Sequence, residues 1–343
     1  MKIVYSHTHS DHAPTHQLFG DGLRPAVEVP ERANRILQIL QEREIGEIVE
    51  TKVFDMDVLK TVHDEGLVSF LANVYDEWAL SGRANDVGLI PDTFAMRPLG
   101  HKPEELVRQA GYYCFETQTP ILKGTWQAAQ QAAYGALTGA DVLLAGEGCA
   151  YALCRPPGHH ASRDLYGGYC YLNNAALAAQ RLSLYGRVAI LDVDYHHGNG
   201  TQSIFYDSAD VLFVSIHADP NLEYPYYSGY ASERGVWKGH GYTYNMPLPF
   251  GCDDDEYLAT LNRALEQIRK FGADFLVVSL GVDFCREDPL CRFCVSQNVF
   301  ARVGGMIGAQ KKPTLFVQEG GYHLDGVGNC VANVLEGFID MCQ

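Results

Sequence analysis

Arg187-Val188-Ala189-Ile190-Leu191-Asp192-Val193-Asp194-Tyr195-His196-His197-Gly198-Asn199-Gly200 joins an apolar run to a cluster of carboxylates and imidazoles. The run from Arg187 to Leu191 reads as a buried strand, so the polar groups collect where that strand ends. In open α/β sheets, ligands bind outside the carboxyl ends of the strands. Asp194 and His196 stand at i and i+2, which in an extended segment puts both side chains on one face. Such a pair supplies two ligands of a zinc-type catalytic site, which needs about three protein ligands and an open position. The plainer alternative is a polar turn that caps a strand. That alternative weakens because other strand ends in this chain are also polar.

Outward from this stretch, apolar runs of strand length alternate with helical stretches. Strands are expected at Lys2–Ser6, Tyr151–Cys154, Arg187–Asp192, Val211–His217, Phe275–Gly281 and Thr314–Gln318. Helices are expected at Glu31–Glu44, Thr125–Thr138, Asn174–Ser183, Asp255–Phe271 and Gly328–Met341, with Asn173 or Asn174 as the N-cap of the third. Several strands are apolar on both faces, as in a parallel sheet covered by helices. The alternation predicts an α/β fold of three layers, α/β/α, around a central parallel sheet. A single domain over residues 1–343 is the simplest division, since no linker, low-complexity tract or solenoid repeat interrupts the chain.

At 47% hydrophobic composition the chain can bury a large core. Its formal net charge of −16 argues against nucleic acid as a partner and suits small cationic substrates. No apolar run approaches the roughly 20 residues of a membrane helix. The N-terminus reads as an immediate strand rather than a signal peptide, and the ten scattered cysteines suit a reduced, cytoplasmic protein. Cys285, Cys291 and Cys294 lack the spacing and the fourth ligand of a zinc knuckle.

Three further strand ends carry chemistry. Phe275–Gly281 runs into Val282-Asp283, and a buried carboxylate there needs a metal or a cation. Asp194, His196 and Asp283 would form a site of mostly oxygen donors; zinc fits best, with Fe(II), Co(II) or Mn(II) admissible. Tyr151–Cys154 runs into Arg155-Pro156-Pro157-Gly158-His159-His160, whose tandem histidines offer a general base and acid. Thr314–Gln318 runs into Glu319-Gly320-Gly321-Tyr322, whose phenol could stabilise an oxyanion. Gly167-Gly168-Tyr169 reads as a pocket wall. Each of these alone has a bland alternative, a surface dipeptide or a packing tyrosine.

Together the segments Arg155–His160, Gly167–Asn173, Asp192–Gly200, Leu280–Pro289 and Glu319–Tyr322 resemble, in order, the signatures of the histone deacetylase superfamily. Within it the chain is similar to the bacterial acetylpolyamine amidohydrolases, on its length, Gly111-Tyr112-Tyr113-Cys114, Lys123-Gly124-Thr125-Trp126 and Cys154–His160. The resemblance implies an arginase-deacetylase fold and one Zn²⁺ per subunit on Asp194, His196 and Asp283. It makes His160 the general base and acid, His159 mainly electrostatic, and Tyr322 the donor to the scissile carbonyl. Asp192 would orient His159 and Asn199 would orient His160. It also implies structural K⁺, one site matching Asp192, Asp194, His196, Ser215 and Ile216, and a second matching Phe205, Ser208, Val211 and Tyr242. Tyr169 and Tyr224 match the aromatic rings that sandwich a methylene chain, Gly168 lies beside them, Leu290 matches the pocket rim, and Arg32 matches an arginine of an internal channel.

Two features bear on the substrate. Where the polyamine enzymes carry two acids flanking the Gly-Tyr-Tyr-Cys segment, this chain aligns Val107 and Gln118, with Glu116 near enough to substitute. Trp78–Lys102 resembles an inserted loop through which such enzymes pair as homodimers and narrow the active-site mouth. The implied reaction is hydrolysis of acetylated diamines and polyamines, such as acetylcadaverine, acetylputrescine and acetylspermidine, to acetate and free amine. The alternatives are a protein acetyl-lysine deacetylase, an arginase-like two-metal hydrolase, and a non-enzymatic acyl-ligand sensor.

Overall fold

The structure, a computed structural model, describes residues 1–96 and 100–342. Its strands are β1 (Lys2–Tyr5), β2 (His16–Phe19), β3 (Gly22–Pro25), β4 (Glu47–Glu50), β5 (Cys149–Ala152), β6 (Val188–Asp192), β7 (Val211–Ala218), β8 (Thr243–Leu248), β9 (Phe275–Leu280) and β10 (Thr314–Gln318). Its helices are α1 (Glu31–Glu42), α2 (Glu65–Leu80), α3 (Ala110–Tyr113), α4 (Thr125–Leu144), α5 (Asn174–Leu182), α6 (Asn199–Phe205), α7 (Asp254–Phe271), α8 (Val299–Gly308) and α9 (Val327–Cys342).

Eight strands form one sheet in the order β4-β1-β5-β10-β9-β6-β7-β8. Every pairing in it is parallel. β6, β7 and β10 are buried at every residue, because helices cover both faces. One face packs Leu191, Val214 and Phe316 against α7, α8 and α9; the other packs Ile190, Phe213 and Val317 against α4 and α5. The expected three layers are therefore present.

Local chemistry explains the helices. In α7, Tyr257, Leu258, Leu261, Ala264, Leu265 and Ile268 recur at helical spacing and are buried. Asp253 caps the N-terminus by accepting from the Glu256 amide at 3.0 Å, three acidic residues fill the first turn, and Arg269 and Lys270 fill the last. Asn173 caps α5, accepting from the Ala176 amide at 2.9 Å. α4 is rich in alanine and buried on several faces, and it runs to Leu144 rather than ending at Thr138.

Several elements were not foreseen. β4 reads Glu-Ile-Val-Glu and β8 contains Pro247; both are edge strands, where charge and proline are tolerated. The antiparallel pair β2–β3 turns at Gly20-Asp21, too short and polar to read as sheet. α2 was also missed, and the expected insertion, from Trp78, starts in its last turn. Trp78 is buried in the last turn of α2, so the irregular segment begins after Leu80. Residues 97–99 of that insertion lie outside the described residues. Among the described residues, no helix is long and apolar enough to cross a membrane.

Candidate active site

The four motif-bearing strands, β5, β10, β9 and β6, are consecutive neighbours in the sheet. Because they are parallel, their carboxyl ends share one edge, and four segments distant in sequence meet there. Asp194 and His196 do not meet through strand periodicity, as the spacing suggested. β6 ends at Asp192, and the chain bends so that Asp194 Oδ1 accepts from the His196 amide at 2.9 Å.

Asp194, His196 and Asp283 are buried, and one ligand atom from each lies within 4.8 Å of the others. His196 Nδ1 stands 3.3 Å from Asp194 Oδ1 and 3.1 Å from Asp283 Oδ2. Burial and the facing Asp194 push the Asp283 carboxyl up. A cation between the two carboxylates would relieve that cost. A Cβ at Gly320 would collide with both the Asp283 and the Asp194 carboxylate, so the glycine leaves the space this cluster occupies. One nitrogen and two oxygen donors suit zinc, and the residues fit a divalent ion.

The tandem histidines have different partners. His159 Nδ1 lies 3.1 Å from Asp192 Oδ2, and His160 Nδ1 lies 2.6 Å from Asn199 Oδ1. Burial alone would lower His159, but Asp194 and Asp192 outweigh it and raise it to about 10. Burial, His159 and His196 hold His160 well below its ordinary value. An amide oxygen only accepts, so His160 carries its proton on Nδ1 and keeps a lone pair on Nε2. The loop bearing both is tied down by Glu319, whose Oε2 accepts from the Gly158 amide at 2.6 Å and the His159 amide at 3.1 Å. Burial raises Glu319 to about 7 against the pull of His159. In the sequence Glu319 stands only as the first residue of the Glu319–Tyr322 segment.

Tyr322 is positioned by a buried charge network. Arg32 donates from Nε to the Gly321 carbonyl and from Nη2 to the Glu319 carbonyl, both at 2.6 Å, and pairs with Glu28 at 2.7 Å. Its guanidinium lies 4.6 Å from the Tyr322 ring centroid. Asp288 accepts from the Tyr322 amide at 2.6 Å and the Leu290 amide at 3.0 Å, tying the catalytic candidate to the rim. Burial pushes the phenol well above its usual range, which keeps it a donor.

His160, His196 and Tyr322 open onto one cavity of about 210 Å³, walled by Gly168, Tyr169 and Tyr224 with Leu290. The Tyr224 ring centroid lies 5.0 Å from His160, and that of Tyr169 lies 5.8 Å from Tyr322. Gly168 has φ +59, and a Cβ there would strike the His160 ring. The cavity also includes Phe19, from the unforeseen β2–β3 pair, and Glu223.

Glu116 requires a correction. Its carboxylate accepts from the Gln118 amide, the Thr119 hydroxyl and, at 3.1 Å, the Gly168 amide. It buttresses the pocket wall and is absent from the cavity lining, whereas Gln118 belongs to that lining. Val107 is buried in the turn Leu106–Gln109. Of the potassium positions, Asp192 pairs in register with Ser215, and Ile216 follows on β7. In the second set, Phe205 ends α6 and its carbonyl accepts from the Ser208 amide at 3.1 Å. Val211 opens β7, and the Tyr242 carbonyl accepts from the Phe213 amide at 2.9 Å.

Comparison with known proteins agrees with this geometry. The histone deacetylase domain family matches residues 26–338. Acetylpolyamine amidohydrolase 2 of Pseudomonas aeruginosa is 45% identical over 341 residues, covering 98% of each chain. The acetylpolyamine amidohydrolase of Mycoplana ramosa is 41% identical over 340 residues, covering 98% of this chain and 99% of that one. The crystal structure of acetylpolyamine aminohydrolase from Burkholderia pseudomallei superposes with a TM-score of 0.94 at 39% identity, covering 98% of both chains. With its site motifs gathered at one sheet edge and this likeness along nearly all its length, the chain belongs to the histone deacetylase domain family.

Proposed function

We propose that this chain is a zinc-dependent amidohydrolase that removes acetyl groups from acetylated polyamines and diamines, releasing acetate and a free amine. One observation carries the reading: a buried metal-capable triad, a histidine with a free Nε2 and a buried phenol meet around one narrow pocket. Asp194, His196 and Asp283 would hold one zinc, which supplies Lewis acidity that polarises an amide carbonyl and eases deprotonation of a nearby water. His160 Nε2 takes the proton of the attacking water and returns one to the leaving nitrogen, since an amine anion leaves poorly. Asn199 fixes the tautomer that makes this possible. His159, raised by Asp194 and Asp192, stabilises negative charge developing beside it. Tyr322 donates to the carbonyl oxygen as it becomes an oxyanion.

Tyr169 and Tyr224 pass a thin methylene chain between them, with Leu290 at the rim. The net charge of −16 and the names of the full-length relatives support a cationic polyamine as substrate. Ten free cysteines support a reduced, cytoplasmic setting. Structural K⁺ at the two sets of positions on and around β6 and β7 belongs to the same reading. So does a single domain, with Trp78–Lys102 as an insertion that joins two copies; Leu80 and Met96 are 89% and 74% exposed and suit such a contact.

A protein deacetylase would use the same chemistry with a wider mouth. A two-metal hydrolase would need further ligands, and the described residues contain one metal-capable cluster. A non-enzymatic sensor would not need acid, base and electrophile together. Acetate release separates these. Zinc-loaded protein should turn over acetylcadaverine, acetylputrescine or acetylspermidine far faster than an acetyl-lysine peptide. The opposite ranking would overturn the polyamine assignment, and no release from any of them would overturn the enzyme.

A further inference from the structure

We infer that Glu223 is the residue that receives the distal ammonium of the substrate, an inference that rests on the amidohydrolase reading above. Glu223 is the one carboxylate among the described residues lining the cavity that contains His160, His196 and Tyr322. The positions where the family resemblance implies acids do not supply one. Val107 is buried and apolar, Gln118 is neutral, and the Glu116 carboxylate is occupied by three hydrogen bonds from its own wall.

Glu223 lies between β7 and β8 and is half-buried, in a segment whose Leu222, Tyr226 and Tyr227 are exposed. It therefore lines the cavity from a segment that borders solvent. Its carboxylate is preoriented without being neutralised. Oε2 accepts from the Tyr195 hydroxyl at 3.1 Å and Oε1 from the Tyr224 amide at 3.0 Å. The Tyr195 oxygen in turn accepts from the Arg292 amide at 3.1 Å, which fixes its rotor. Among the described residues Glu223 has no ion-pair partner. Two carboxylate oxygens offer about four acceptor sites, so at least one lone pair on each remains for an ammonium.

The neighbouring residue completes the geometry. Tyr224 is one aromatic wall of the cavity and its ring packs at 5.0 Å on His160. A methylene chain lying along that ring, with its acetyl end at His160, leads its far end back to the Glu223 side of the same segment. The acid that selects the amine and the ring that guides the chain are thus adjacent in sequence. Selection of a cation would come from this segment instead of from the one around Gly111–Cys114.

The test compares N-acetylcadaverine with N-hexylacetamide, a neutral amide of the same length. Wild type should favour the cationic substrate in kcat/KM. Glu223→Gln should lower that ratio by about tenfold or more, the scale of a lost charge-assisted hydrogen bond. Tyr195→Phe removes one of the two bonds that orient the carboxylate but leaves its charge, and should lower the ratio less than Glu223→Gln does. Should E223Q lose both activities, Glu223→Asp decides, since it keeps the charge at shorter reach and should still favour the cationic amide. An unchanged ratio in E223Q, the same fall in Y195F, or no preference in E223D or wild type overturns the inference while the amidohydrolase stands. Failure of wild type to hydrolyse either amide overturns the amidohydrolase reading and this inference with it.

Discussion

His159 and His160 are adjacent, yet a carboxylate on one and an amide on the other give them different settings, in keeping with the different roles proposed for them. Asp194 and Asp192 raise His159 against its burial, whereas burial, His159 and His196 lower His160, whose Nδ1 faces Asn199 Oδ1 and whose Nε2 is left open. Tyr322 is the third residue at this cavity, and the proposal gives its phenol the part of an oxyanion donor. Tyr322→Phe should therefore reduce kcat by about 10²- to 10³-fold with the fold intact. Near-normal turnover of that variant would remove the phenol from the mechanism. These residues were legible in the sequence because each follows a clean apolar strand and carries a side chain with few structural uses there. Glu319, Asp288 and Glu28 were not, because they act by accepting from backbone amides or buried arginines across the fold. A single sequence has no periodicity that reports such long-range bonds. Glu116 was misread for the same reason: its proximity along the chain to the expected position said nothing of the Gly168 amide it accepts from.

The elements show where local rules suffice. α7 begins at its acid run and ends where its charge pattern reverses, before Gly272 in the left-handed region. Asp253→Ala should lower stability by about 1 kcal/mol, read as a lower urea midpoint with unchanged slope. A midpoint identical to wild type would show that this helix start is held by packing alone. The central strands were legible because parallel, two-sided burial writes nearly continuous apolar runs. The edge strands β4 and β8 and the β2–β3 pair were not, since a short half-exposed element carries little hydrophobic signal. That gap matters for the site, because β2 brings Phe19 to the cavity. The turn after β10 is a different case, fixed by Arg32 rather than by its own sequence. Arg32→Met would leave Glu28 beside Arg155 with one partner fewer and free two carbonyls, of Glu319 and Gly321. Loss of stability by about 3 kcal/mol or more is expected from breaking a buried ion pair. A variant as stable as wild type would contradict that role.

At the scale of the molecule, sheet order is what makes the site. Strand order could not be read from the sequence, and it sets β5, β10, β9 and β6 side by side with their carboxyl ends together. The same burial gives the fold a pH dependence. His63 is buried between the Ser162 carbonyl, 2.9 Å from Nδ1, and the Asn173 amide, which donates to Nε2 at 2.9 Å. Both nitrogens are used by the neutral ring, and burial lowers the group to about 4. The unfolded chain, with an ordinary value near 6.5, binds the proton first. Stability is therefore complete above about pH 6.5 and falls toward pH 4, by up to about 1.4 kcal/mol per pH unit from this residue. His63→Gln, which can keep both hydrogen bonds but does not titrate, should show a flatter loss of urea midpoint between pH 6.5 and pH 5. Equal slopes would contradict the assignment.

The proposed chemistry depends on one metal ion held by Asp194, His196 and Asp283. It is tested most directly by titrating metal-stripped protein with zinc while following acetate release from acetylcadaverine. No release is expected without metal, with a rise that saturates at about one equivalent per chain, and in Asp283→Ala neither release nor tight zinc binding. Full turnover by the metal-free protein, or a requirement for a second equivalent, would contradict it.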